Sequence, residues 1–102
     1  MVAIIDAQRN ELEALCRKHR VRRLEVFGSA ADGTFDPARS DIDFLVEFEP
    51  LDPPRLADAY FGLLVDLERT FNRDIDLVTL KAIRNPFLLR NINETRRPVY
   101  AA

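Results

Sequence analysis

The feature that most constrains this chain is the stretch Val26–Phe48, VFGSAADGTFDPARSDIDFLVEF. An apolar approach ends in Gly28-Ser29, a polar passage follows, and Asp41-Ile42-Asp43 then heads a strongly apolar run. Residues two apart on a strand share a face, which sets Asp41 and Asp43 side by side, roughly 7 Å apart. Ile42, Phe44, Val46 and Phe48 take the opposite face and anchor the strand on a core. Two ionised carboxylates held that close repel each other unless a cation lies between them. A divalent ion with oxygen ligands, Mg²⁺ above all, answers that need.

Gly28-Ser29 supplies the complement. Glycine adopts backbone angles that other residues avoid and lets another group approach the main chain closely. With Ser29 opening a helix, its hydroxyl and the N–H groups after it make an anion site. A phosphate cradle beside a carboxylate pair on a neighbouring strand describes a nucleotide–metal site. Neither half carries this alone, since an isolated Asp-x-Asp is commonly a solvated strand end and an isolated Gly-Ser a turn. Their order and spacing carry it.

At 102 residues the chain reads as one domain over positions 1–102, able to bury a modest core. Apolar residues at 47% and charged residues at 31% suit a soluble globular protein. No run is long enough to cross a bilayer, and Met1-Val2-Ala3-Ile4-Ile5-Asp6 lacks the features of a signal peptide. The single cysteine, Cys16, excludes an internal disulfide and points to a reducing, cytoplasmic location. A net charge of −2 gives no electrostatic case for nucleic-acid binding, and the basic groups at 17–23 and 96–97 read as solvated surface.

Residues 3–19 read as an amphipathic helix with Ile4, Ile5, Leu12, Leu15 and Cys16 on its apolar stripe. Cys16 is then a buried, inert thiol, and His19 a helix-end cation. A strand over 21–27, a short helix near 30–31 closed by Asp32-Gly33, and a strand over 41–48 follow. Pro50, Pro53 and Pro54 mark a loop before a long helix over 55–71, whose apolar stripe includes Leu56, Leu63, Leu67 and Phe71. A third strand, 74–78, places Asp74 and Asp76 on one face and Ile75 and Leu77 on the other. A helix over 86–95, with Pro86 at its first turn, precedes an edge strand at 97–101. The order predicts an α+β fold, a small mixed sheet with helices mainly on one face.

Gly28-Ser29, a spacer and Asp41-Ile42-Asp43 resemble the signature of the polymerase-β-like nucleotidyltransferase superfamily. The length and the wording SDIDFLVEF are most similar to its minimal nucleotidyltransferase (MNT) branch. The spacer 30–40 is one residue longer than the family's common ten, and Asp32 stands where an Arg is usual. The resemblance implies a polymerase-β-like core and a site of three carboxylates. Asp41 and Asp43 match the pair, and Asp76, standing before Leu77-Val78, matches the third. Together they would hold two Mg²⁺ ions, which in such sites lie roughly 3.5–4 Å apart, and Asp76 would polarise the acceptor hydroxyl. Gly28 and Ser29 would bind the β- and γ-phosphates of ATP.

Solitary MNT-like chains resemble antitoxins paired with a HEPN-domain toxin, which they neutralise by moving AMP from ATP to a toxin tyrosine. This chain is accordingly expected to act on a cognate HEPN toxin. Two alternatives are an antitoxin that works by contact alone, which Asp32 favours, and a nucleotidyltransferase subunit acting on RNA or a small molecule.

Overall fold

The computed structural model describes residues 3–102. Met1 and Val2, at the head of the stretch read above for a signal peptide, lie outside them. The elements run α1 (Ala3–Ala7), α2 (Arg9–Lys18), β1 (Val21–Phe27), α3 (Ser29–Asp32), β2 (Ile42–Phe48), α4 (Pro53–Phe71), β3 (Ile75–Thr79), a 3₁₀ turn (Leu80–Ala82), α5 (Pro86–Thr95) and β4 (Arg97–Ala101). The four strands form one sheet in the order β3-β2-β1-β4. β1 pairs antiparallel with both β2 and β4, whereas β2 and β3 are parallel and joined through α4.

The alternation seen in the sequence sets the layers. Ile42, Phe44 and Val46 turn to one face of β2, where Leu24, Val26 and Leu77 join them. Leu12, Leu15 and Cys16 of α2 and Leu63, Leu67 and Phe71 of α4 cover that face. Val21 reaches the same cluster as Leu24 although three positions away, because the β1–β2 register shifts between Val21 and Arg23. On the opposite face Phe27 and Leu45 pack on Ile92 of α5. The sheet is thus covered mainly on one face, with a smaller cluster on the other. This is the α+β architecture the element order predicts.

Several boundaries differ from the sequence reading, among them the third strand, which runs Ile75–Thr79 and leaves Asp74 outside it. The first helix is two, because Gln8 leaves helical angles (φ −105°, ψ 15°) where Arg9 reaches across to the Val99 carbonyl. The long helix begins at Pro53, not Arg55, with Asp52 ahead of it. Proline is tolerated there because the first turn's N–H groups have no helical acceptor. Asp41 falls just outside β2, whose ladder starts at Ile42.

Cys16 is fully buried, and burial pushes its thiol up to about 12, so it is inert as expected. His19 has a partner the sequence did not reveal. Its Nε2 lies 2.7 Å from Asp66 Oδ2 of α4, and Lys18 Nζ donates to the same oxygen at 3.0 Å. Among the described residues no helix is long and apolar enough to cross a membrane.

Candidate active site

The parallel register places Asp43 of β2 opposite Asp76 of β3. On its other side Asp43 faces Phe27, the last residue of β1. Asp43 therefore stands between Asp76 and the Gly28-Ser29 turn, with Asp41 two residues upstream. Because Ile42 and Phe44 face the main core, Asp43 points to the α5 side of the sheet, beside Leu45.

Gly28 is shaped by that neighbour. Its backbone (φ 68°, ψ −144°) lies close to a region used almost only by glycine. A β-carbon built on it would stand 2.5 Å from Asp43 Oδ2, so the turn and the carboxylate are in direct contact. Gly28 N–H donates to Thr95 Oγ1 at 2.9 Å, and Thr95 Oγ1 donates to the Asn91 carbonyl at 2.7 Å. The end of α5 thus holds the turn. Ser29 is the first residue of α3, and the N–H groups of Ala31 and Asp32 fold back onto the Gly28 carbonyl at 3.0 Å each. Asp32, the residue standing in place of the usual Arg, is engaged locally. Its Oδ1 accepts from Thr34 N at 2.9 Å and from Thr34 Oγ1 at 2.6 Å, which holds its carboxyl below the ordinary range. It closes the turn after α3.

The carboxylates repel one another. Burial, then the charges of Asp76 and Asp41, push the Asp43 carboxyl up to about 6. The Tyr60 hydroxyl is also raised, by burial and then by Asp76. Among the described residues no three acidic, His or Cys side chains converge tightly enough to form a ready-made ion cage. Charge and donor type nevertheless fit a hard divalent cation, since three carboxylates close enough to perturb one of their number are relieved by such an ion and supply the oxygen ligands it prefers. A groove of about 570 Å³ between α4 and β3, lined by Leu56, Tyr60, Phe61 and Val78 among others, includes none of the three aspartates.

The structure therefore brings Asp43, Asp76 and the Gly28-Ser29 turn to one place, with Asp41 near enough for its charge to act on Asp43. Two residues that sequence reasoning passed over also belong to this region. Thr95 carries no sequence signal, since a threonine at a helix end is unremarkable. Arg73, read only as part of a turn, donates to the carbonyls of Ser40 and Pro37.

A mixed sheet that sets a glycine-serine turn beside an aspartate pair and a third aspartate on the next strand is the polymerase-β-like nucleotidyltransferase fold. The chain belongs to the family described as "Nucleotidyltransferase domain", whose model it matches over residues 9–99. It is 35% identical over 93 residues to a chain of Methanocaldococcus jannaschii named a putative protein adenylyltransferase, covering 83% of this chain and 91% of that one. Among solved structures, one described as a putative minimal nucleotidyltransferase superposes with a TM-score of 0.65 at 28% identity, covering 92% of this chain and 91% of that chain. A crystal structure of a toxin–antitoxin with AMP-PNP superposes with a TM-score of 0.67 at 26% identity, covering 92% of this chain and 73% of that one.

Proposed function

We propose that this protein is a Mg²⁺-dependent adenylyltransferase that moves AMP from ATP to a tyrosine hydroxyl of a cognate HEPN-domain toxin and thereby neutralises it. The observation that carries the reading is the contact of the Gly28 turn with Asp43, opposite Asp76. It puts a glycine turn open to close approach and acidic oxygens at one point. The similarity to a toxin–antitoxin holding AMP-PNP and to a chain named for protein adenylyl transfer supports ATP and a protein acceptor. A cytoplasmic setting fits the buried, reduced Cys16.

In this reading Gly28 and Ser29 receive the β- and γ-phosphates, with the glycine leaving the backbone open to close approach. Asp41, Asp43 and Asp76 would hold the cation, which supplies charge stabilisation at the phosphoryl oxygens. Asp76, exposed on the edge strand β3, accepts a hydrogen bond from the incoming hydroxyl and orients its oxygen. That oxygen forms a bond to the α-phosphorus as the bond to pyrophosphate breaks. The hydroxyl proton passes to Asp76 and from it to solvent, and the products are the AMP ester and pyrophosphate.

The test is the intact mass of the partner encoded beside this chain, after incubation with the protein, ATP and Mg²⁺. Wild type is compared with an Asp41→Ala, Asp43→Ala double variant. A gain of one or more AMP units with wild type alone is the expected result. A stable complex with both proteins and no gain with either would replace the enzyme by a contact-only antitoxin. Labelling of RNA or of a small hydroxyl compound instead would move the acceptor to another class.

A further inference from the structure

We propose that Arg73 is a positioning residue for the aspartate trio: its guanidinium fastens the 36–40 loop to the foot of β3 and so sets where Asp41 stands relative to Asp76. The inference rests on the cation-binding role proposed above and adds to it a residue that touches neither cation nor substrate.

Asp41 needs such a device because no ladder holds it. Pairing between β2 and β3 starts at Ile42 and Ile75, and among the described residues the backbone bond at that end is a long one, Ile42 N to the Asp74 carbonyl at 3.4 Å. Arg73 stands three positions before Asp76. Its Nη1 donates at 2.9 Å to the carbonyl of Ser40, which is the carbonyl of the peptide bond leading into Asp41. Because a peptide unit is planar, fixing that oxygen fixes the plane from which Asp41 departs. Its Nη2 donates at 3.0 Å to the Pro37 carbonyl, and the guanidinium lies 5.0 Å above the Phe35 ring. One planar group therefore grips the loop at two points, Pro37 and Ser40, while seated on the residue just before it, Phe35.

The loop is also closed on itself, so the grip is transmitted. Ser40 N–H donates to the Asp36 carbonyl at 2.8 Å, Ala38 N–H to Asp36 Oδ1 at 2.9 Å, and Asp36 N–H to Ser40 Oγ at 2.9 Å. A body tied this way moves as a unit, and Arg73 is what joins it to the strand of Asp76. Arginine suits the task because its rigid fork presents two parallel donors, whereas a lysine ammonium would satisfy one carbonyl at a time. Arg73 Nε is buried with no acceptor among the described residues. The guanidinium is thus oriented by the two carbonyls and not by its own full satisfaction.

The experiment uses the whole chain and Mn²⁺ alone, as a tighter-binding stand-in for Mg²⁺. Calorimetric titration compares wild type, Arg73→Ala, Arg73→Lys and Asp41→Ala, and amide hydrogen exchange is followed on the same samples. Loss of an outer partner of a metal ligand costs about 10- to 100-fold in affinity, so Arg73→Ala is expected to weaken Mn²⁺ about tenfold. Arg73→Lys should recover part of that loss, and exchange at Asp41 and Ile42 should quicken while that of Leu24 and Val46 stays unchanged. Mn²⁺ affinity equal to wild type in Arg73→Ala, with Asp41→Ala weakened, would overturn the proposal. Should Arg73→Ala fail to fold, the comparison of Arg73→Lys with wild type decides on the same terms. If wild type binds no Mn²⁺, the cation-dependent function fails. Exchange at Asp41 and Ile42 then decides separately on Arg73, and unchanged exchange rejects it.

Discussion

At Gly28 two demands meet on one atom. The backbone adopts a positive φ of 68°, and the space where a side chain would begin is filled by Asp43 Oδ2. Gly28→Ala must either rotate the turn or displace the carboxylate. Strain at such angles and overpacking each cost of order 1–3 kcal/mol. We expect Gly28→Ala to lower unfolding free energy by about 2 kcal/mol and to abolish transfer, read by denaturant unfolding and the partner-mass assay. An alanine variant with wild-type stability would show that the contact is not tight. Thr95 is the second residue-scale case. Thr95→Val keeps the volume but removes the acceptor of Gly28 N–H, costing about 1–2 kcal/mol and slowing transfer. Thr95→Ser should restore both, and failure of that rescue would assign the effect to packing.

At the scale of elements, α2 and α4 are fastened by the His19–Asp66 bond across Gly62. A β-carbon on Gly62 would lie 2.7 Å from His19 Cε1 and 2.9 Å from Nδ1. Replacing glycine by alanine inside a helix ordinarily stabilises by about 1 kcal/mol, but here the ring must shift and loosen its 2.7 Å contact with Asp66. Overpacking of about 1–3 kcal/mol plus the weakened bond outweighs the gain, so Gly62→Ala should lower the melting temperature. Adding His19→Ala should remove the penalty and reveal the alanine gain. If the double variant is no more stable than His19→Ala alone, the clash was not the cause.

Most elements were legible because their periodicities are strong. The 42–48 alternation and the α4 stripe needed only local rules. Invisible features depended on partners distant in sequence. Gln8 breaks a helical pattern where Arg9 meets Val99, and Arg73 meets a loop thirty-three positions earlier. At the site, the Asp-x-Asp spacing was plain and Asp76 rested on resemblance. The opposition of Asp43 and Asp76 is a fact of parallel register that no local pattern states.

For the whole molecule, acid stability draws on a pair far apart in sequence, Glu25 and Arg96. Arg96 Nε and Nη2 donate to the two oxygens of Glu25 at 2.8 and 2.7 Å, and Glu25 is 8% exposed. The Arg96 hydrogen bond holds the Glu25 carboxyl below its ordinary value of 4.5, against the opposing effect of burial. The unfolded chain then takes up the proton first, so the pair's contribution is present above about pH 4.5 and drains away as pH falls. Glu25→Gln should cost about 1–3 kcal/mol at pH 7, and the gap to wild type should close in strong acid. A gap independent of pH would locate the stabilisation elsewhere.

Three like charges gathered at one end of a sheet also act as a wedge in the cation-free protein. Asp43→Asn, which halves no packing but removes one charge, should raise metal-free stability by on the order of 1 kcal/mol while ending transfer. No gain in thermal unfolding under chelation would show that the repulsion is already relaxed. Conversely, any divalent ion that binds the folded chain shifts its unfolding equilibrium by mass action. On the cation-binding role proposed above, the survival of this chain against proteases should therefore follow the magnesium supply of its surroundings: starvation for the ion would both silence it and shorten its lifetime.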